Sequence, residues 1–312
     1  MTENTALLSI IIPAFNEEEC IGDTLDAISG CGLTLPFDVI VVDNGSTDRT
    51  AAIVTEKGFT SIYHPDATVA SVRNKGVQHS RGNILVFIDA DVSVTQTWAR
   101  EMTAVAHHLL EKPFTVTGSR CLHPNNEVFL AKHWYRLLLH YKSNYINSGH
   151  LITTKRLFNA VSGFSEHLET AEDYDFCLKA QSKGAEIVSN TDLPVIHHGY
   201  PSALKSFIRR ERWHGKQDFS TFKDTLNSKV ALTAIFHLLL LIFCIFGSIA
   251  HQNFLFLVLY AVIMLILSLA LTLYKYDNNQ VHSLVKTAFI FYCYIIGRTL
   301  SLLDRIFRKG VI

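Results

Sequence analysis

The chain has 312 residues, which is enough for one large domain or two. Its 28 basic residues balance its 28 acidic residues, so no charge excess indicates a nucleic-acid partner and none is expected. The six cysteines show no Cys-x-x-Cys spacing, which disfavours a zinc ribbon or a disulfide framework and is typical of a reducing compartment.

The first half of the chain alternates predicted strands with predicted helices. Pro13 is expected to end the first strand, and Ser46-Thr47-Asp48 is expected to cap a helix. This alternation predicts an α/β fold with a mostly parallel sheet. The predicted strands cover residues 8–12, 38–42, 61–63 and 84–88, and the predicted helices include 17–29 and 69–80.

Polar side chains follow three of these strands at the point where each strand ends. Open α/β sheets bind ligands at the carboxyl edge of their strands, so these groups are expected to meet there. Carboxylate pairs suit Mg²⁺ or Mn²⁺ bridging phosphates, although a lone Asp-x-Asp is more often a solvated loop. Neither G-x-x-x-x-G-K-[ST] nor G-x-G-x-x-G occurs, which disfavours a kinase-like or dinucleotide enzyme. The polar groups are Asn16 and Glu17, then Asp43 and Asn44, then Asp89 and Asp91.

Seven short motifs follow one another in order along roughly residues 6 to 200. They are Pro13-Ala14-Phe15-Asn16-Glu17, Val41-Val42-Asp43, Val72-Arg73-Asn74, Asp89-Ala90-Asp91, Asn147-Ser148-Gly149, Ser162-Gly163-Phe164 and Glu172-Asp173. This ordered set resembles the family 2 glycosyltransferases, which have the GT-A fold, a mostly parallel mixed sheet flanked by helices.

This resemblance implies a role for each matching position. Asp43 would bind the nucleotide base and Arg73 would lie by the base and phosphates of the donor. Asp89 would lie near the ribose, and Asp91 would bind a Mg²⁺ or Mn²⁺ ion on the diphosphate. Asp173 would be the general base of an inverting transfer. Structural roles for these residues, as helix caps or surface charges, stay open. The remaining implied positions are Pro13, Phe15 and Glu17 for the donor, Glu172 for catalysis, and Ser148 and Gly149 on the acceptor side.

Two later segments add candidates to the site. His197 follows a short predicted strand and is a candidate third metal ligand, with a structural histidine as the equal alternative. Arg209 to Trp213 resembles the Gln-x-x-Arg-Trp motif of processive synthases, with Arg209 in place of the glutamine. Arg209 and Arg212 would contact the donor diphosphate or face anionic lipid. Trp213 would lie on the acceptor side.

The C-terminal part of the sequence predicts a membrane domain. A soluble domain is expected over residues 1–225 and a membrane domain over 226–312. Residues 230–250 and 254–274 are each apolar enough to cross about 30 Å of hydrocarbon. Residues 284–303 are expected to lie along the interface, with a third crossing as the alternative. No signal peptide is apparent, so the soluble domain is expected in the cytosol.

Together these features predict a membrane-anchored, inverting glycosyltransferase in the cytoplasmic membrane. It would move a sugar from a nucleotide-sugar donor to a hydroxyl of a lipid-linked or glycan acceptor, as in cell-envelope polysaccharide synthesis. The alternatives are a non-catalytic sugar-nucleotide-binding partner in polysaccharide assembly and a processive synthase. A nucleotidyltransferase is disfavoured because the loop after the first strand is acidic rather than basic.

Overall fold

The computed structural model describes residues 8–139, 143–276 and 283–308. They form two compact units, one of residues 8–124 and 143–200 and one of residues 125–139, 201–276 and 283–308. This division differs from the expected boundary after residue 225. The segments that precede this boundary pack onto the C-terminal helices, since the Trp134 ring meets the rings of Phe207 and Phe291 edge-on.

The first unit alternates strands and helices as the sequence predicts. Its strands are β1 (Leu8–Ala14), β2 (Phe37–Asp43), β3 (Ser61–Tyr63), β4 (Ile84–Ile88), β5 (Val92–Val94), β6 (Thr115–Gly118), β7 (His150–Thr154), β8 (Glu186–Ser189) and β9 (Val195–His197). Its helices are α1 (Ile21–Gly30), α2 (Thr50–Glu56), α3 (Val69–His79), α4 (Gln96–Glu111), α6 (Lys155–Ala160) and α7 (Glu172–Ser182). The helix α5 (Arg136–Leu139) belongs to the second unit.

Seven of the described strands form one mixed sheet in the order β3-β2-β1-β4-β7-β6-β8. The strands from β3 to β4 are parallel, and β7 pairs antiparallel with both β4 and β6. A separate two-stranded sheet pairs β5 antiparallel with β9. The prediction that Pro13 ends the first strand is wrong, because β1 runs on to Ala14. Pro13 is tolerated because the pairing of β1 with β4 has already ended at Ile11.

Helices cover both faces of the sheet, which explains why the central strands are apolar throughout. All five residues of β4 are buried. Val86 packs with α1 and α4 on one face, whereas Phe87 packs with α3 and α7 on the other. A strand buried on both faces reads as a continuous apolar run rather than an alternating one. The α/β prediction is therefore confirmed.

The second unit is helical. Among the described residues, three of its helices are long and apolar enough, by length and composition, to cross a membrane: Lys229–Ala250, Leu255–Lys275 and Leu284–Phe307. They lie in α10 (Lys229–Ala250), α11 (Leu255–Lys275) and α12 (Leu284–Arg308). A π-helical turn (Ala131–Tyr135), α8 (Leu204–His214), a 3₁₀ turn (Gln217–Phe219) and α9 (Phe222–Asn227) complete the unit.

Candidate active site

The loops after β1 and β2 are joined by hydrogen bonds at the carboxyl edge of the sheet. Asn16, which has a positive φ of 55°, accepts a hydrogen bond from the Thr47 amide at 2.8 Å. The Glu17 amide donates to Thr50 Oγ1 at 2.7 Å. The helix expected from residue 17 begins only at Ile21. Glu17 lies near the third strand end, where the charges of Asp91 and Asp89 act on it.

Asp89, Asp91 and His197 form a compact cluster next to this edge. Each offers one ligand atom, and these atoms all lie within 4.8 Å of one another. His197 Nδ1 lies 3.3 Å from Asp91 Oδ2. The pairing of β5 with β9 explains the proximity, because Val92 lies opposite His197 in the register. The structure therefore brings the two predicted metal ligands, Asp91 and His197, together with Asp89, which the resemblance had placed near the ribose.

Two residues that the sequence analysis did not single out shape this cluster. Gly199 lies so close to Asp91 that a Cβ there would overlap the Asp91 carboxylate. The Tyr200 ring stacks on the His197 imidazole with 4.2 Å between centroids. The only signal for Gly199 and Tyr200 in the sequence is that they follow His197 and His198. The sequence does not show that Gly199 would contact the Asp91 carboxylate or that Tyr200 would stack on His197.

The chemistry of the cluster fits a hard divalent cation. Carboxylate oxygens and a neutral imidazole are ligands for Mg²⁺ or Mn²⁺. A third carboxylate, Glu17, lies nearby, and its pKa is raised to about 7 by burial and then by the charges of Asp91 and Asp89. Three carboxylates that repel one another form a site that a cation would stabilise.

Arg73 is buried between two carboxylates rather than exposed. Its Nη2 lies 2.6 Å from Asp89 Oδ1, and its Nη1 lies 2.7 Å from Glu172 Oε1. The side chain is only 3% exposed. Arg73 thus links the strand end that carries the Asp-Ala-Asp motif to the start of α7. Its expected contact with the base and phosphates of a donor stays a prediction.

Glu172 and Asp173 are both buried at the start of α7, and Ser148 contacts both. Ser148 Oγ donates to Glu172 Oε1 at 3.0 Å, and the Ser148 amide donates to Asp173 Oδ2 at 3.2 Å. Burial, and then the adjacent Glu172, raises the pKa of Asp173 to about 7, against the opposing effects of its amide donors and Arg73. Asp173 is therefore a carboxylate poised to accept a proton near neutral pH.

The remaining predicted residues of the first unit lie along the same sheet edge. Asp43 ends β2 and is buried, and its Oδ1 accepts hydrogen bonds from the amide and hydroxyl of Ser46. Phe15 follows β1 and is 55% exposed. Gly149 lies against Asp89, since a Cβ there would come within 2.8 Å of Asp89 Oδ2. Pro13 is half-buried within β1.

The site candidates Arg209, Arg212 and Trp213 lie in α8, which belongs to the second unit. Arg212 binds both carboxylate oxygens of Asp304, with Nε 2.7 Å from Oδ2. Trp213 is 46% exposed and Arg209 is exposed. The donor roles of both arginines and the acceptor role of Trp213 stay predictions.

The comparison with protein families bears mainly on the first unit. Residues 9–159 match the model of Glycosyl transferase family 2. The resemblance to this family is therefore confirmed over that stretch. The matched region holds Asp43, Arg73, Asp89 and Asp91.

Two glycosyltransferases align with part of the chain. Glycosyltransferase AglE of Haloferax volcanii is 38% identical over 109 residues, which is 31% of this chain and 34% of the relative. The 4,4'-diaponeurosporenoate glycosyltransferase of Staphylococcus aureus is 41% identical over 96 residues, which is 29% of this chain and 25% of the relative. The aligned stretches thus span about a third and a quarter of the length of these relatives.

A solved structure confirms the fold class. The mannosyltransferase PcManGT from Pyrobaculum calidifontis, solved in complex with GDP-Man and Mn²⁺, matches with a TM-score of 0.62 and 19% identity. The match covers 97% of this chain and 89% of that chain. The likeness establishes the GT-A fold, as the resemblance implied.

Proposed function

We propose that this protein is a membrane-anchored inverting glycosyltransferase. It takes a sugar from a nucleotide-sugar donor and transfers it to a hydroxyl group of a lipid-linked or glycan acceptor. The observation that carries this proposal is the grouping of Asp89, Asp91 and His197, linked through Arg73 to the buried acids of α7. The match to Glycosyl transferase family 2 and the fold shared with a mannosyltransferase structure that holds GDP-Man and Mn²⁺ support it.

Asp91 and His197 would hold a divalent cation, with Asp89 in reach of the same ion. When bound, the cation supplies Lewis-acid stabilisation to the departing nucleoside diphosphate. A ribose contact for Asp89 remains compatible with this arrangement, because Arg73 engages only its Oδ1 atom. Mg²⁺ and Mn²⁺ both suit the ligand set.

Asp173 would act as the general base. Its carboxylate would take the proton from the acceptor hydroxyl as that oxygen attacks the anomeric carbon. Attack on the face opposite the leaving group inverts the configuration at this carbon. The Ser148 amide holds Asp173, and Arg73 offsets the charge of the adjacent Glu172, so these two residues keep the base in a fixed place. Ser148 therefore serves as a positioning residue in this proposal.

We further propose that α10 and α11 cross the membrane as a hairpin and that α12 lies in its interface. One end of the hairpin is marked by Lys229, whose Nζ lies over the Tyr274 ring. At this end Lys275, the last residue of α11, meets Phe291 of α12 with 5.6 Å between Nζ and the ring centroid.

Later positions of α12 contact the segment that directly precedes α10. Arg298 Nη1 lies 3.1 Å from Asp218 Oδ2, and Arg305 donates to the Ser220 carbonyl at 2.8 Å. From Phe291 to Arg305 the helix advances about 21 Å, at about 1.5 Å per residue, and Arg305 still contacts Ser220, which precedes α10 in the chain. A spanning helix would leave that end of the hairpin. These contacts favour the interfacial placement over a third crossing.

The test is donor-dependent release of nucleoside diphosphate by membranes that contain the protein. A panel of nucleotide sugars is supplied with Mn²⁺ or Mg²⁺ and an acceptor-lipid extract. We expect one donor to be turned over, and Asp91→Asn to abolish its turnover. Asp192→Asn, which changes an exposed acid of the same unit, is the matched control and should retain turnover. Binding of the donor without turnover by the wild-type protein would instead favour a non-catalytic partner.

A further inference from the structure

His150 is a fully buried histidine that the proposed reaction does not use. It begins β7 and has no exposed surface. Trp98 Nε1 donates to its Nε2 at 2.8 Å, and Ser119 Oγ lies 2.9 Å from its Nδ1. Ser119 Oγ in turn donates to the carbonyl of Leu193. Burial lowers the pKa of His150 to about 3, so the ring is neutral at physiological pH.

These partners hold the ring at both of its nitrogens. The indole Nε1–H of Trp98 donates to Nε2, since an indole nitrogen can only donate. At the other nitrogen, the Ser119 amide lies 3.1 Å from Nδ1 and the Ser119 hydroxyl lies 2.9 Å from it. The same hydroxyl donates to the Leu193 carbonyl, so a chain of hydrogen bonds connects Trp98, His150, Ser119 and Leu193.

Each member of this chain lies next to an element that carries a candidate metal ligand. Ile88, the residue before Asp89, pairs with His150 in the sheet. The Asp89 amide lies 3.4 Å from the carbonyl of Gly149, the residue before His150. His150, in the middle of the hydrogen-bond chain, is therefore paired with the segment that holds Asp89.

The other two ligands are reached through α4 and β9. Trp98 lies in the first turn of α4, which follows β5 and Asp91. Leu193 precedes β9, the strand that ends at His197. Thr95 Oγ1, the cap of α4, also donates to the Pro194 carbonyl at 3.0 Å. His150 thus lies where the segments of Asp89, Asp91 and His197 meet.

We propose that His150 is a positioning residue that sets the mutual spacing of Asp89, Asp91 and His197 for a divalent cation. The inference rests on the proposed function, since that function requires the cation. An apolar side chain could fill the same volume, but packing alone is not directional, whereas hydrogen bonds constrain distance and angle. Mutation of residues that support metal ligands from the outer shell typically lowers the affinity for the metal by about 10–100-fold.

The test measures Mn²⁺ binding to the purified full-length protein by electron paramagnetic resonance of the free ion. We expect His150→Phe to weaken Mn²⁺ binding by about 10-fold or more. His150→Gln can both accept and donate a hydrogen bond, so it should retain more of the affinity than His150→Phe. Thr153→Val is the matched control, because Thr153 is equally buried in β7 and its hydroxyl donates to the Thr115 carbonyl instead. It should bind Mn²⁺ as the wild type does.

If His150→Phe does not fold, Trp98→Phe removes the bond to Nε2 and Ser119→Ala removes both bonds of the Ser119 hydroxyl, and each variant should weaken Mn²⁺ binding. Wild-type Mn²⁺ affinity in all variants that fold would overturn the positioning role. A wild-type protein that turns over donor but binds no divalent cation would contradict the cation site itself. Donor turnover with normal Mn²⁺ binding in the variants would leave the proposed function intact and refute this inference alone.

Discussion

Replacing Arg73 by methionine tests whether the buried ion pairs organise the site. The Glu172 side chain is 8% exposed and would lose its cationic partner, whereas Asp89 is 29% exposed and water can reach it. Leaving one partner of a buried ion pair without compensation costs about 3–5 kcal/mol. Because Ser148 still donates to Glu172, we expect the lower end of this range, a loss of about 3 kcal/mol in the free energy of unfolding.

For a unit of this size, a loss of about 3 kcal/mol lowers the Tm by roughly 6–12 °C. The assay is thermal unfolding of the purified full-length protein, read by differential scanning fluorimetry. Arg49→Met is the matched control, because Arg49 and Glu56 form an ion pair 3.0 Å long whose side chains are 66% and 61% exposed. Exposed pairs contribute about 0–1 kcal/mol, so this control should hardly move the Tm.

A second substitution separates the charge from the loss of packing. In the Arg73→Met background, Glu172→Gln removes the buried charge left without its partner, so we expect it to recover about half of the lost Tm or more. The ion-pair reasoning is refuted if Arg73→Met shifts the Tm no more than Arg49→Met does. It is also refuted if Glu172→Gln brings no recovery.

Three further predictions address the base, a ligand and the membrane topology. Because burial and Glu172 raise the pKa of Asp173 to about 7, the base is protonated below that pH. The kcat/KM should therefore rise with pH and be half-maximal near pH 7, and a midpoint near pH 4 would argue against this base. Gly199→Ala should weaken Mn²⁺ binding because its new Cβ would displace the Asp91 carboxylate. The control Gly30→Ala, where a Cβ meets nothing within 4 Å, should bind Mn²⁺ as the wild type does. Equal Mn²⁺ affinity in the two variants would refute the close packing of Gly199 on Asp91. An epitope tag at the C-terminus should be accessible from the same side of the membrane as one at the N-terminus, and access only from the opposite side would establish a third crossing.

Much of the fold could be predicted because it follows from local patterns. The strand at residues 84–88 is a continuous apolar run, and the structure has β4 over Ile84–Ile88. The three polar strand ends meet because parallel strands share one carboxyl edge. The two longest apolar stretches match α10 and α11 to within one residue at each end.

The rest depends on partners that are distant in sequence. Arg73 reads as a cation available to a donor, yet its carboxylate partners lie 16 and 99 residues away. Arg212 lies in a motif suggestive of diphosphate binding, yet Asp304, 92 residues on, accepts its hydrogen bonds. Residue type gives the charge of a side chain, whereas the fold decides which opposite charge it meets.

The most direct test of the proposed metal-assisted transfer is nucleoside diphosphate release by membranes washed with chelator and then titrated with Mn²⁺. Release from the donor that is turned over should return with Mn²⁺ in the wild type. It should stay absent in Asp91→Asn and in Asp173→Asn, with both variants present at normal levels. Turnover in Asp91→Asn equal to that of the wild type at every Mn²⁺ concentration would contradict the role given to the Asp-Ala-Asp motif.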